Sequence, residues 1–361
     1  MTYRVVVTGG AGFIGSTLVK YLVREIGAVT LNIDSLTYAG TLSSLAEVAG
    51  SSLYHFVKAD ISDGAAMRAA LHEFRPNLVM HLAAETHVDR SIDEPRRFIN
   101  TNVLGTTVLL NETCDYWRSL SEVQGEYFRF HHVSTDEVFG SLPGTSRADE
   151  TSRYDPSSPY SASKAAADHI VRAWHRTFKL PAVLSNCSNN YGPFQFPEKF
   201  IPMMILKALA GEPLPVYGDG ENSRDWLYVE DHVRALWTIA TKGKLGETYL
   251  VGADAEKRNI EVAQLVCRIM DELVPDTAGG RKRCISLVAD RPGHDLRYAL
   301  DSSRLKRELG WSPRESFESG LRRTVLWYLN RRDWWQPLLD DVYGGERLGQ
   351  SHQGTSAGLR G

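Results

Sequence analysis

A doubly wound parallel α/β sheet followed by a smaller C-terminal α/β region is the fold class this sequence predicts. Three observations predict it. Short β-branched or apolar runs at 5–7, 29–33, 53–57, 78–82 and 128–133 alternate with helical patterns near 63–74 and 95–117, the order of a parallel sheet with helical crossovers. A glycine-rich turn joins the first run to a helical pattern through Leu18, Tyr21, Leu22 and Glu25, which Gly27 should stop. Further on the alternation breaks up. Turns at 191–193, 211–213, 218–220 and 291–293 separate helical patterns at 201–209, 230–241, 259–273 and 317–330, which read as a cap over the sheet edge. We therefore expect one region over 1–185, to which later segments return, and a second over 186–335. A loose polar tail should occupy 336–361.

With 361 residues, 42% hydrophobic and 24% charged, the chain reads as soluble and globular. Its net charge of −3 makes no electrostatic case for nucleic acid or a membrane surface. No apolar run is long enough to cross a bilayer, and no signal peptide is visible, so a cytoplasmic protein is expected. Cys114, Cys187, Cys267 and Cys284 are scattered without metal-site spacing, which implies reduced thiols and no metal.

The turn after the first strand reads TGGAGFIG at 8–15. Gly9, Gly12 and Gly15 recur every three residues. Glycine there permits a tight turn, close approach of a pyrophosphate and close helix–strand packing, and the free amides of the following helix can hold the phosphates. Asp34 ends the second strand 19 residues after Gly15. A carboxylate at that place accepts hydrogen bonds from ribose hydroxyls, which favours NAD over NADP. The unit is a Rossmann-type dinucleotide fingerprint.

Tyr160 and Lys164 lie four apart on a helical pattern and so share a face. An ammonium beside a phenol favours the phenolate, a base that can take a hydroxyl proton while hydride leaves the same carbon. Ser134-Thr135-Asp136-Glu137 should close a buried strand. Two adjacent carboxyls beside a redox cofactor exceed what alcohol oxidation needs and point to a coupled proton-moving step such as loss of water. Taken alone, the pair fits a solvated strand end as well.

The glycine loop, the Tyr/Lys pair and the strand-end Ser134-Thr135 resemble the extended short-chain dehydrogenase/reductase family. Within it the chain is similar to the dTDP-glucose 4,6-dehydratases, over roughly 1–335. The likeness rests on DSLTYAG at 34–40, HLAAETHVDRS at 81–91, STDEV at 134–138, PSSPYSASK at 156–164, NCSNNYGP at 186–193, PEK at 197–199 and DRPGHD at 290–295. The resemblance implies NAD as cofactor, dTDP-glucose as substrate and a homodimer built through helices near 100–117 and 162–178. It implies that Tyr160 takes the C4 hydroxyl proton as hydride passes to NAD, with Thr135 bonded to O4. Glu137 then removes the C5 proton, Asp136 protonates the departing C6 hydroxyl, and hydride returns to C6. It places Gly9, Gly12, Phe13, Ile14, Gly15, Asp34, Ser35, Leu36, Thr37, Asp60, Ile61, Leu82, Ala83, Ala84, Thr86, Thr101, Tyr160, Lys164 and Asn190 at the cofactor. Thr86, Thr135, Asn189, Lys199, Phe200, Pro215, Tyr217, Arg224, Asn259, Arg291 and His294 are placed at the substrate.

The chain departs from the family pattern at Phe139, where Tyr is usual, at Thr41 for Asn and at Gln195 for His, and residues 142–154 form a shortened segment. These changes bear on substrate preference more than on reaction type. A nucleotide-sugar 4-epimerase would need Tyr160 but has no use for Asp136-Glu137. A non-catalytic NAD-binding regulator would need neither. Thymine and uracil differ by one methyl group, so UDP-glucose stays an alternative substrate.

Overall fold

The computed structural model describes residues 2–276 and 278–341. Seven strands form the central sheet: β1 Arg4–Thr8, β2 Val29–Asp34, β3 Tyr54–Lys58, β4 Leu78–His81, β5 Arg129–Thr135, β6 Ala182–Cys187 and β10 Thr248–Val251. Their order is β10-β6-β5-β4-β1-β2-β3, with every pair parallel. Chain order reverses between β1 and its neighbours β2 and β4, and a doubly wound sheet opens its ligand crevice at such a point, beyond the carboxyl ends of the strands.

Alternation along the strands builds a core on each face. Val6, Leu31, Val79 and Phe130 point to one side, against Met67, Leu71, Leu109 and Val171 of the flanking helices. Val5, Val7, Met80 and Val133 point to the other, against Leu18, Val19, Val233 and Leu236. Central strands buried on both faces read as continuous apolar runs, and for that reason the sequence reveals them.

Two strands of the central sheet, β6 and the edge strand β10, were not expected. β6 carries Ser185 and Asn186 within it, and β10 is four residues long, so neither shows a clean pattern. The pattern at 230–241 is the helix Val229–Lys242. It does not belong to the cap, because its Val233, Leu236 and Ala240 pack onto the central sheet. The pattern at 95–117 is three pieces: Pro95–Phe98, a π-helical stretch Ile99–Gly105 and Thr106–Arg118. The first helix, Phe13–Tyr21, also ends in a π-helical turn, Leu22–Ile26, and Gly27 stops it at φ +70°.

The remaining strands are short. β7 Asn189–Tyr191, β9 Ser223–Tyr228 and β11 Glu256–Arg258 form one sheet, and β8 Leu214–Tyr217 pairs with β12 Ile285–Val288. With the helices Phe200–Ala210, Asn259–Leu273 and Phe317–Asn330 they enclose a second core of Tyr191, Met204, Trp226, Val262, Phe317 and Tyr328. The first six residues of the expected loose tail are helical, within Arg332–Asp341. Trp335 Nε1 donates to the Tyr328 carbonyl at 2.7 Å and Trp334 Nε1 to Ser44 Oγ at 3.1 Å, which ties this helix down. The rest of that tail lies outside the described residues.

Candidate active site

A cavity of about 520 Å³ opens beyond the carboxyl ends of β1, β2, β4, β5 and β6. One end is the glycine turn. Gly9 holds φ +74°, and a Cβ there would stand 2.7 Å from the Ala83 backbone. A Cβ on Gly15 would fall 2.0 Å from the Gly9 carbonyl, so helix and turn touch only because Gly15 has no side chain. At Gly12 the nearest atom would be 3.4 Å away. The bare Gly12 is therefore not needed by the fold, and it leaves room for something to approach the backbone. The helix Phe13–Tyr21 begins there with no side-chain cap and no acidic residue in its first turn. Free amides at a positive helix end suit a pyrophosphate.

Asp34 closes β2 at the same end. Its Oδ2 accepts from Ala11 N at 2.9 Å and its Oδ1 from Leu36 N at 2.8 Å. Burial raises its pKa and these two amides pull it back. Each oxygen keeps a lone pair for a ribose hydroxyl, and a carboxylate there repels a 2′-phosphate. The donor set therefore fits NAD. Ser35, Thr37, Asp60, Ile61, Leu82, Ala83, Ala84 and Thr101 line the cavity with Asp34, and Asn190 lines it beyond β6. Of the expected cofactor residues only Leu36 does not line the wall. It holds φ +55° and serves through its backbone N–H to Asp34.

The middle of the cavity is chemical. Thr135 ends β5, Asp136–Phe139 turns at once into a 3₁₀ helix, and both carboxyl residues line the cavity. Glu137 N donates to Thr135 Oγ1 at 3.2 Å, and Thr135 Oγ1 donates to Asp136 Oδ1 at 3.3 Å. Burial, with the Glu137 charge second, holds the Asp136 carboxyl well above the carboxylate range, and its Oδ2 has no partner. Burial raises Glu137 as well, but Arg291, Arg224 and Lys199 pull it back. Both carboxyls are raised, Asp136 well above the carboxylate range and Glu137 less, because three cations oppose the burial of Glu137.

Tyr160 and Lys164 approach from the helix Pro159–Phe178, which starts with Pro159 after a Ser158–Ser161 capping box. Both are buried and both line the cavity. Burial raises the Tyr160 phenol well above its usual value, Glu137 and Cys187 add to this, and a hydrogen bond with Thr135 opposes it. Burial lowers Lys164, and Asp168 opposes that. Lys164 Nζ donates to the Val133 carbonyl at 2.9 Å.

At the far end Thr86, Asn189 and Lys199 line the wall, with Lys199 Nζ 3.4 Å from the Thr86 carbonyl. Thr135 lines the middle of the cavity, and the remaining expected substrate residues do not line it. Arg291 Nη1 binds Asp89 Oδ1 at 2.8 Å, and Tyr217 donates to Asp89 Oδ2 at 3.1 Å. His294 packs edge-on to Tyr217 and reaches Asp290. Arg224 lies 4.3 Å over the Tyr298 ring and donates to the carbonyls of Ser223, Asp295 and Leu296. Arg224 and Arg291 still act on Glu137 through their charge. Pro215 sits in β8, and Asn259 starts a helix with its N–H on the Asn222 carbonyl. Phe200 stacks on Trp226 against the second core, a packing role the sequence did not reveal.

A buried polar knot was also not anticipated. Glu198 accepts from Tyr38 at 2.9 Å and from Arg90 at 3.1 Å, and the Arg90 guanidinium lies 4.0 Å over the Tyr38 ring. It joins the loop after Asp34 to the segment carrying Lys199. Gln195, one of the departures, lines the cavity and donates to the Asn190 carbonyl at 2.9 Å. Phe139 packs edge-on to Tyr154 at 5.1 Å, where a hydroxyl is not needed for packing.

A parallel sheet with a dinucleotide cradle, a Tyr/Lys pair and two unequal carboxyls defines a class of nucleotide-sugar oxidoreductases and dehydratases. The chain belongs to the family of GDP-mannose 4,6 dehydratase, whose family model matches residues 6–324. Among its relatives, a dTDP-glucose 4,6-dehydratase of Escherichia coli is 52% identical over 358 residues, covering 96% of this chain and 99% of the relative. A probable dTDP-glucose 4,6-dehydratase of Sinorhizobium fredii is 57% identical over 346 residues, covering 96% and 98%. The crystal structure of dTDP-glucose 4,6-dehydratase from Bacillus anthracis in complex with NAD superposes with a TM-score of 0.83 at 40% identity, covering 93% of this chain and 100% of that one.

Proposed function

We propose that this chain is a hydro-lyase that converts dTDP-glucose to dTDP-4-keto-6-deoxyglucose and water. The observation that carries the reading is the unequal pair Asp136 and Glu137 in one cavity with Tyr160 and the dinucleotide cradle. An epimerase needs the cradle and Tyr160 alone. Near-full-length similarity to dTDP-glucose 4,6-dehydratases supports the same choice.

NAD, when bound, accepts hydride from C4 and returns it to C6. Gly12 and the free first-turn amides of the helix Phe13–Tyr21 would hold its pyrophosphate, and Asp34 would hold its adenosine ribose. Tyr160 takes the C4 hydroxyl proton, while Thr135 donates to the developing carbonyl oxygen. The 4-ketone acidifies C5–H, and Glu137, ionised beside its three cations, removes that proton. Asp136, kept protonated by burial, gives its proton to the C6 hydroxyl, which leaves as water. Glu137 then returns a proton to C5. The cycle leaves Tyr160 one proton richer and Asp136 one poorer. The Thr135 hydroxyl, bonded to both, links them for the reset. Arg291, Arg224 and Lys199 attract the nucleotide diphosphate.

A homodimer is part of the proposal. Ile99 and Leu104 are exposed on the stretch Ile99–Gly105, and Phe178 is exposed at the end of the Tyr160 helix. These elements carry the helices the sequence assigned to a dimer face. Among the described residues no helix is long and apolar enough to cross a membrane, and a cytoplasmic enzyme is part of the same reading.

The test is incubation with dTDP-glucose and, separately, UDP-glucose. Product is read as the alkali-induced absorbance of a 4-keto-6-deoxy sugar, and dTDP-galactose by chromatography. Keto-sugar from dTDP-glucose at a rate well above that from UDP-glucose is expected. Galactose epimer without keto product would replace this reading with an epimerase, and no turnover of either sugar would replace it with a binding protein.

A further inference from the structure

Lys164 presents a problem of charge. It is buried, its ammonium donates to one carbonyl, and among the described residues no carboxylate stands within ion-pairing distance of it. A cation so placed tends to lose its proton. Without that proton it could not favour the Tyr160 phenolate.

Asp168 lies on the same helix, four residues after Lys164 and eight after Tyr160, and is fully buried. Residues at this spacing share a helix face. Its Oδ2 accepts from Tyr154 Oη at 2.8 Å and from Asn186 Nδ2 at 3.0 Å, and its Oδ1 stands 3.1 Å from His132 Nε2. Its direct partners are therefore a phenol, an amide, an imidazole and the Ser134 hydroxyl, none of them a permanent cation. Burial and the Lys164 charge keep that imidazole below its usual pKa and so neutral. No cation sits directly on the carboxylate, so its charge remains effective one turn away. Despite burial, the His132 imidazole, the Lys164 charge and the Ser134 hydroxyl hold Asp168 down to about 2, and it stays an anion. Other titratable groups around Lys164 are Tyr160 on the helix, His81 on β4, His132 on β5 and Cys187 on β6. Arg172, one turn beyond Asp168, reaches it only through Tyr154 Oη at 2.8 Å. Burial lowers the two histidines and raises the thiol, which leaves Asp168 the group in this shell that carries negative charge.

We propose that Asp168 is a positioning residue for the reaction: it is the buried counter-charge that keeps Lys164 protonated, and through Lys164 it sets the proton affinity of Tyr160. This rests on the dehydratase reading for its kinetic consequence, but not for its physical one.

The test is Asp168→Asn, which keeps the shape and can still accept from Tyr154 and Asn186. The alkaline limb of its kcat profile should move down by at least about one pH unit, with KM for dTDP-glucose changed less than about threefold. The second readout needs no turnover. Titration at 295 nm, taken as the difference from a Tyr160→Phe protein in the same background, should show the Tyr160 step at higher pH than in the parent. His132→Gln should keep the parent's alkaline limb. An Asp168→Asn protein that is less stable but keeps both the limb and the Tyr160 step overturns the proposal, as does an equal shift in His132→Gln. If Asp168→Asn does not fold, Asp168→Glu and Asp168→Ser decide. The charged variant should titrate near the parent and the uncharged one below it, and equal limbs overturn the proposal. A moved Tyr160 step in a protein that turns over no nucleotide sugar would sustain the counter-charge and sink the dehydratase reading alone.

Discussion

Asp136 and Glu137 share a backbone, yet their surroundings separate them. Asp136 has only the Arg224 charge set against burial and the charges of Glu137 and Asp225, while Glu137 meets Lys199, Arg224 and Arg291 from three different parts of the chain. Their roles follow from that difference. Glu137→Gln removes the base proposed for C5 while leaving Tyr160 in place. The variant should reduce bound NAD transiently at 340 nm on mixing with dTDP-glucose, yet form keto-deoxy sugar at least about a hundredfold more slowly. Product at the parent rate would take the C5 proton away from Glu137. Both carboxyls were legible in the sequence as a pair beside a redox site. Their inequality was not, because it is made by residues 62 to 154 positions further along the chain.

At the scale of elements, the first strand, turn and helix carry the most separable prediction. Gly12 and Gly15 look alike in the sequence but differ in space. A Cβ at Gly15 would enter the Gly9 carbonyl, whereas at Gly12 it would reach nothing closer than 3.4 Å. Gly15→Ala should lower both stability, by about 1–3 kcal/mol, and NAD affinity, because the helix must move off the turn. Gly12→Ala should keep the parent's melting temperature and lose NAD affinity by at least about tenfold, because only the pyrophosphate needs that space. Isothermal titration with NAD and thermal denaturation of the two proteins separate the cases. Equal melting losses in both would mean that the turn, not the ligand, demands Gly12. The spacing of the glycines marked the element well, and contacts across the turn decided which glycine serves which purpose. Elements without such punctuation, β6 and β10, escaped the sequence reading because a short strand with Ser185 and Asn186 inside it has no period to detect.

For the whole molecule, the buried histidines set the response to acid. His131 and His232 are fully buried and held down to about 3 by burial, and His81 and His132 are lowered as well. Above the ordinary histidine pKa of about 6.5 neither the folded nor the unfolded chain protonates them. Below it the unfolded chain binds protons that the folded chain refuses, so stability falls as pH drops from about 6.5 towards about 3. Each such group contributes up to about 1.4 kcal/mol per pH unit in that window. His87 and His294, lowered to about 2 and about 4, act with these four, whereas the raised carboxyls of Asp34, Asp136, Glu137, Glu150 and Asp225 act with the opposite sign and only below their own raised pKa values. Urea midpoints should therefore fall steadily between pH 7 and pH 5, and His131→Gln should make that slope shallower if its fold is kept. A flat profile over this range would show that the histidines open to water in the native state.

By itself the sequence determined the parallel sheet, the dinucleotide cradle and the group Thr135, Asp136, Glu137, Tyr160 and Lys164 that lines one cavity with it. Those features rest on local patterns: strand period, glycine spacing, and Tyr160 with Lys164 one helical turn apart. Only the tertiary structure showed which carboxyl is raised further, which glycine has open space beside it, and which carboxylate lies one helical turn from Lys164. Each of these depends on electric field and steric volume, which residues distant in the chain create only when the sheet brings their strand ends to one place.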